Sequence, residues 1–166
     1  METMTHYMEL LGKNQPWNLL LFMVVPVLCA ETLAIAELYL LATRRFDGAV
    51  GRLSRAVGIF GGLYLTAVAA YLVAAEVLPL TAARSWRGPI DVIAIAAYLL
   101  SALPFAALFL LETGLLGRGR GELEKQKLHA ALVAVYLVVA HVAMIFGMLS
   151  PALLGTAGAM GGMAGM

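Results

Sequence analysis

The chain has 166 residues, 62% of them hydrophobic and 13% charged, with a net charge of +1 and a mean hydropathy of +0.90. A soluble domain carries about 25% charged residues, so this composition excludes a water-soluble globule and requires lipid over much of the surface. The neutral balance leaves no footprint for nucleic acid, and the single cysteine, Cys29, excludes an internal disulfide framework and any multi-cysteine zinc site.

Taken in chain order, the pattern predicts an all-α polytopic membrane protein: four transmembrane helices in an up-down bundle, plus a short N-terminal interfacial helix. Residues 1–15 form the interfacial segment, 16–150 the transmembrane domain, and 151–166 a flexible Met/Gly/Ala tail. The first sixteen residues are too polar for a signal peptide, which predicts a retained N-terminus. Tyr7, Met8, Leu10 and Leu11 supply one apolar side for a helix lying on the membrane surface.

The first span covers about 17–43, with Asn14 as cap, Pro16 in the first turn and Trp17 at headgroup level. Arg44 and Arg45 close it, Pro26 marks a kink, and Glu31 and Glu37 lie inside it. The second span, about 54–78, carries the small pair Gly58 and Gly62, which permits close helix contact and is a candidate docking face for a partner. Tyr64 and Tyr71 share one of its faces, and Glu76 sits in its last turns. The third span, about 90–116, opens with Asp91 placed favourably at a helix N-terminus. Ser101 beside Pro104 predicts a kink, and Glu112 lies near the far end. The fourth span, about 124–149, carries His129, Tyr136, His141, Met144 and Met148.

Charge sets the expected topology. The loops at 44–55 and 117–127 hold Arg44, Arg45, Arg52, Arg55, Arg118, Arg120, Lys125 and Lys127, against Lys13, Arg84 and Arg87 on the other side. The positive-inside rule then puts both termini outside the cytoplasm, which for a bacterial protein means the periplasmic side of the inner membrane.

Acids within hydrocarbon cost at least about 2.5–3.5 kcal/mol each, yet no Lys or Arg lies in the central parts of the spans. Histidines, tyrosines, a proton, or a bound metal or cofactor are the expected partners. At one level Glu31, Glu37, Glu112 and His129 make a carboxylate–imidazole ligand set of the kind found in helical bundles. Glu31 and Glu37 are about 240° apart around a helix, so they cannot both face one centre. At the other level His141, Met144 and Met148 follow one helix face, a soft set suited to copper, with Met160, Met163 and Met166 repeating on the tail. Glu76 and Asp91 are accessory candidates. The expected ligand is therefore a transition metal, copper or iron. Haem b is the alternative, with His141 as principal ligand joined by His6 or a methionine; His129 and His141 are about 18 Å apart along the helix and cannot share an iron. Tyr39, Tyr64, Tyr71, Tyr98 and Tyr136 suit a quinone pocket equally. A third reading is a non-catalytic subunit of a larger membrane complex, or a homo-oligomer. Phosphate loops, Cys-x-x-Cys, H-E-x-x-H and GxSxG are absent, which weighs against an enzyme.

Met8-Glu9-Leu10-Leu11, Asn14-Gln15-Pro16-Trp17-Asn18-Leu19, Ala30-Glu31-Thr32 and the stretch from His141 through Met148 resemble a family of small bacterial four-helix inner-membrane proteins. That family has no settled activity, and the label permease attached to such proteins rests on hydropathy. The resemblance implies the architecture and the membrane address and carries over no catalytic residue.

Overall fold

The computed structural model describes residues 4–153, and all regular structure among them is helical. Four helices are long and apolar enough to cross a membrane: α2 (Trp17–Thr43), α3 (Ala49–Ala82), α4 (Pro89–Glu112) and α5 (Glu122–Met148). A shorter helix, α1 (His6–Gly12), precedes them. Around the bundle α2 packs on α3, α3 on α4, α4 on α5, and α5 back on α2. Helix α4 is the most enclosed, with 50% of its apolar window buried against 22–33% for the others, so it forms the spine of the bundle. The rest of each outer helix presents its apolar side chains outward, as a lipid-facing surface requires.

Close packing between α3 and α4 depends on missing side chains. A Cβ on Gly62 would stand 2.5 Å from Phe109 Cβ and 2.6 Å from the Phe105 carbonyl oxygen. Without a hydrophobic drive between helices already in lipid, such close approach is what holds them together. Gly58 and Gly62 are both buried against neighbours within the chain. The expectation that they form an outward face for a partner is therefore corrected.

Two prolines shape the outer helices. Pro26 has no N–H, and the turn before it, Leu20–Val24, widens to a π-helix in which the Val25 N–H reaches back to the Leu20 carbonyl. The carbonyls of Leu21 and Phe22 are then left without a backbone donor from position 26. Tyr64 of α3 donates to the Leu21 carbonyl and Tyr98 of α4 to that of Phe22, each at 2.8 Å. Pro79 produces the same widening over Val73–Val77, which carries α3 on to Ala82, past the expected end at 78. Helix α4 stops at Glu112, short of the expected 116: Gly114 adopts a left-handed φ of +73° and the Leu116 N–H turns back to the Leu110 carbonyl. Asn14 does not cap α2. It takes a left-handed φ of 50° in the preceding turn, and Asn18 Nδ2 ties that turn to the Leu10 carbonyl.

Helix α1 lies on the bundle rather than on lipid alone. Tyr7, Leu10 and Leu11 are buried against α4 and α5, and the Tyr7 ring sits where a Cβ on Gly147 would be 2.7 Å away. Thr5 caps α1, accepting from the Met8 N–H at 3.3 Å, and donates to the Gly147 carbonyl at 2.7 Å.

Candidate functional site

Polar and soft groups gather in three places. The first is a groove of about 560 Å³ between α2 and α5, with Tyr98 and Ser101 of α4 on its lining and α1 over its end. Glu31 and Met23 of α2, Met8 of α1, and Tyr136, His141, Met144 and Met148 of α5 line it together, as does Met4. The three-and-four spacing that puts His141, Met144 and Met148 on one helix face turns that face into the groove. His141 Nδ1 lies 2.6 Å from the Leu137 carbonyl oxygen. A carbonyl can only accept, so Nδ1 is the donor, and Nε2 is the ring atom left to bind a ligand. Tyr136 is buried and meets Phe105 edge-on, with ring centroids 4.5 Å apart.

The second place lies toward the arginine-rich end. His129, buried at 1% exposure, stands between two carboxylates: Nδ1 is 2.9 Å from Glu37 Oε1 and Nε2 is 3.4 Å from Glu112 Oε1. Ser54 donates to Glu37 Oε1 at 2.7 Å, and Gln126 donates to Glu37 Oε2. Arg55 and Lys125 hold Glu112 Oε2 at 3.1 and 3.2 Å. Gly58 makes the room, since a Cβ there would be 3.2 Å from His129 Nε2. The expectation that no cation serves the intramembrane acids is corrected here. Arg55 and Lys125 sit near helix ends, and their long side chains reach inward to Glu112.

The third place fastens α1. Asp91, fully buried, accepts the His6 N–H on Oδ1 at 2.7 Å, and on Oδ2 the Arg87 N–H at 3.2 Å and His6 Nδ1 at 2.6 Å. It thus sits where the N-termini of α1 and α4 meet, which favours its negative charge. Arg87 continues the clamp to the Met4 carbonyl and to Glu9 Oε2, at 2.7 and 2.5 Å. The Arg87 guanidinium holds the Glu9 carboxyl below its usual range, while burial pushes the Tyr7 phenol up to about 12.

Several expected groupings change. Glu31 is apart from Glu37 and joins the methionine groove, as their angular separation requires. His6 does not line the groove with His141; it faces Asp91 and borders a void of about 10 Å³ with Glu76. Tyr64 and Tyr98 are committed to the backbone carbonyls described above. Met160, Met163 and Met166 lie outside the described residues. Among the described residues, no three His, Cys, Asp or Glu side chains are grouped so as to hold a metal ion. Glu37, Glu112 and His129 are instead engaged by one another, by two cations and by hydrogen-bond donors. The spacing of residues missed Arg55, Lys125, Ser54 and Gln126, although Gln126 and His129 are three apart on one helix face.

The chain belongs to a family of unknown function (DUF6803), whose model matches residues 1–163. No curated protein and no solved structure matches it.

Proposed function

We propose that this member of the family binds a soft transition-metal centre, copper(I) in the first instance, in the groove between α2 and α5. The orientation of His141 carries the reading. Its Nδ1 is fixed on the Leu137 carbonyl, which leaves Nε2 as a ligand atom in a groove shared with methionines from α1, α2 and α5. Metal-binding histidines are commonly oriented by such a bond at the other ring nitrogen, and imidazole with thioether is a donor set that copper(I) selects. Glu31 places a carboxyl on the same wall, a further donor for a metal ion. Met160, Met163 and Met166 would add capture ligands if the tail meets the same aqueous side. The charge bias of the loops supports an orientation with both termini outside the cytoplasm, so the groove loads from that side.

A volume of about 560 Å³ far exceeds one ion and favours, as the second reading, a bulky group such as haem b, which His141 would hold. One experiment separates the two. Full-length protein is purified in detergent, its visible spectrum is taken, and copper is measured after loading under reducing conditions and desalting. Stoichiometric copper in the wild type, lost in His141→Ala, supports the first reading. A Soret band in the protein as purified, lost in the same variant, supports the second. Colourless protein whose copper content is unchanged by His141→Ala refutes both.

A further inference from the structure

We infer that Glu112, His129 and Glu37 form a two-proton relay that opens toward the arginine-rich end of the bundle. Three helices contribute to it: Glu37 from α2, Glu112 from α4 and His129 from α5. The other charged or polar groups facing the row are Ser54 and Arg55 of α3 and Lys125 and Gln126 of α5.

Four atoms lie in a row: Glu37 Oε1, His129 Nδ1, His129 Nε2 and Glu112 Oε1, with nitrogen–oxygen contacts of 2.9 and 3.4 Å. Neither contact has hydrogen-bond alignment, so both ring nitrogens are buried and matched only by carboxylate charge. A ring nitrogen bearing a lone pair would there face a carboxylate oxygen's lone pairs, in a medium where unpaired polar groups are costly. Each contact therefore calls for one proton, two for the row. An imidazolium between two carboxylates meets that count. So does a neutral imidazole with one carboxylic acid.

Once a rotation of the ring aligns both contacts and brings the 3.4 Å one within hydrogen-bond reach of about 2.6–3.2 Å, the second arrangement allows transfer with no change in total charge. Glu112 as the acid gives its proton to Nε2 while the Nδ1–H proton passes to the Glu37 carboxylate. The imidazole ends neutral with the proton on Nε2, Glu112 ends ionised and Glu37 ends as the acid, with two protons before and after. Imidazole can do this because its two nitrogens are separate proton sites. The ends of the row differ. Glu112 is itself 8% exposed and contacts Arg55, whose side chain is 62% exposed, so in this relay that end is the one that exchanges protons with water. Glu37 is 3% exposed and sealed by Ser54 and Gln126. The relay thus loads and unloads a carboxyl deep in the bundle from the arginine-rich side.

The test counts protons. Full-length protein labelled with ¹⁵N in histidine is placed in phosphatidylcholine–phosphatidylglycerol vesicles near neutral pH. The His129 ring N–H groups are counted by solid-state NMR and the carboxylic-acid carbonyl stretch is read by infrared. Two protons are expected: two ring N–H groups, or one together with an acid band that Glu37→Gln or Glu112→Gln removes. In Glu37→Gln the amide can itself donate to Nδ1, so the count should fall by one and the ring should be neutral. One ring N–H in the wild type without an acid band overturns the relay. A ring that stays doubly protonated in Glu37→Gln removes Glu37 from it.

Discussion

The Pro26 turn offers a test of how α2 is held. Replacing Tyr98 with Phe keeps the ring, including its packing on Tyr7 at a centroid distance of 5.3 Å, and removes only the hydroxyl that donates to the Phe22 carbonyl. Hydrogen bonds between membrane helices measure about 0.6 kcal/mol on average and about 1.7 at most, while leaving a buried acceptor unsatisfied costs about 1–3 kcal/mol. Tyr98 and Phe22 are both buried, so a loss of about 1–2 kcal/mol is expected. Tyr64→Phe should cost about 0.5–1 kcal/mol, since lipid-side relaxation is open to it. Pro26→Ala restores an N–H. If the widened turn persists, that N–H points to the Leu21 carbonyl and cancels the cost of Tyr64→Phe. If the turn tightens to an α-helix, it serves Phe22 and cancels the cost of Tyr98→Phe. Unfolding in mixed micelles, followed by far-UV circular dichroism across the double-mutant cycles, gives the coupling. Full additivity of Pro26→Ala with both tyrosine variants would refute the idea that these hydroxyls replace the donor missing at Pro26.

Gly62→Ala should destabilise the bundle by about 1–3 kcal/mol, because the new methyl meets the α4 backbone as well as Phe109. Gly12→Ala meets nothing within 4 Å and should be near neutral in the same unfolding assay. Asp91→Ala leaves the His6 and Arg87 N–H groups without their acceptor and should release α1 at a cost of about 3–5 kcal/mol, read as new labelling of an introduced Leu11→Cys thiol. Glu9 is held low by Arg87, so its share of α1 docking is present above the ordinary carboxylate range and is lost as pH falls through its depressed value. In the Leu11→Cys protein, labelling normalised to that of a free thiol at each pH should therefore rise on acidification, and adding Glu9→Gln should remove that component; a residual identical step would assign it elsewhere. Glu31→Gln should lower copper retention and leave the His129 proton count unchanged, whereas Glu37→Gln should do the reverse.

The four long helices were legible because hydrocarbon imposes length and composition on every spanning segment, a constraint that acts residue by residue along the chain. The ends were less legible. The second span continues past its expected end at 78 because a widened turn absorbs Pro79, and Gly114 ends α4 through a conformation that hydropathy does not register. The grouping of His141, Met144 and Met148 was legible since helix periodicity fixes a face. The partners of that face were not, because they come from α1 and α2 through tertiary packing. Arg55 and Lys125 were misjudged for a related reason. Their Cα positions are near the ends of their helices, but side-chain reach decides where the charge resides. His6 was misplaced because the docking of α1, fixed by Asp91 and Arg87, turns it away from His141.

The two acids of α2 explain why one small bundle holds two chemically distinct polar regions. Six residues separate Glu31 from Glu37, about 9 Å along the helix and about 240° around it. A single inward-facing site cannot use both, and a helix with α3 on one side and α5 on the other offers each acid a different neighbour. Glu37 turns to the imidazole and amide groups that adjoin the cation-held Glu112, a hard, hydrogen-bonding environment. Glu31 turns to thioethers and one pre-oriented imidazole, a soft environment with room for a ligand. The bilayer sharpens the division. Leu33, Leu65 and Phe105 are buried in an apolar cluster of the bundle, and in such surroundings each region must satisfy its own charge from its own neighbours.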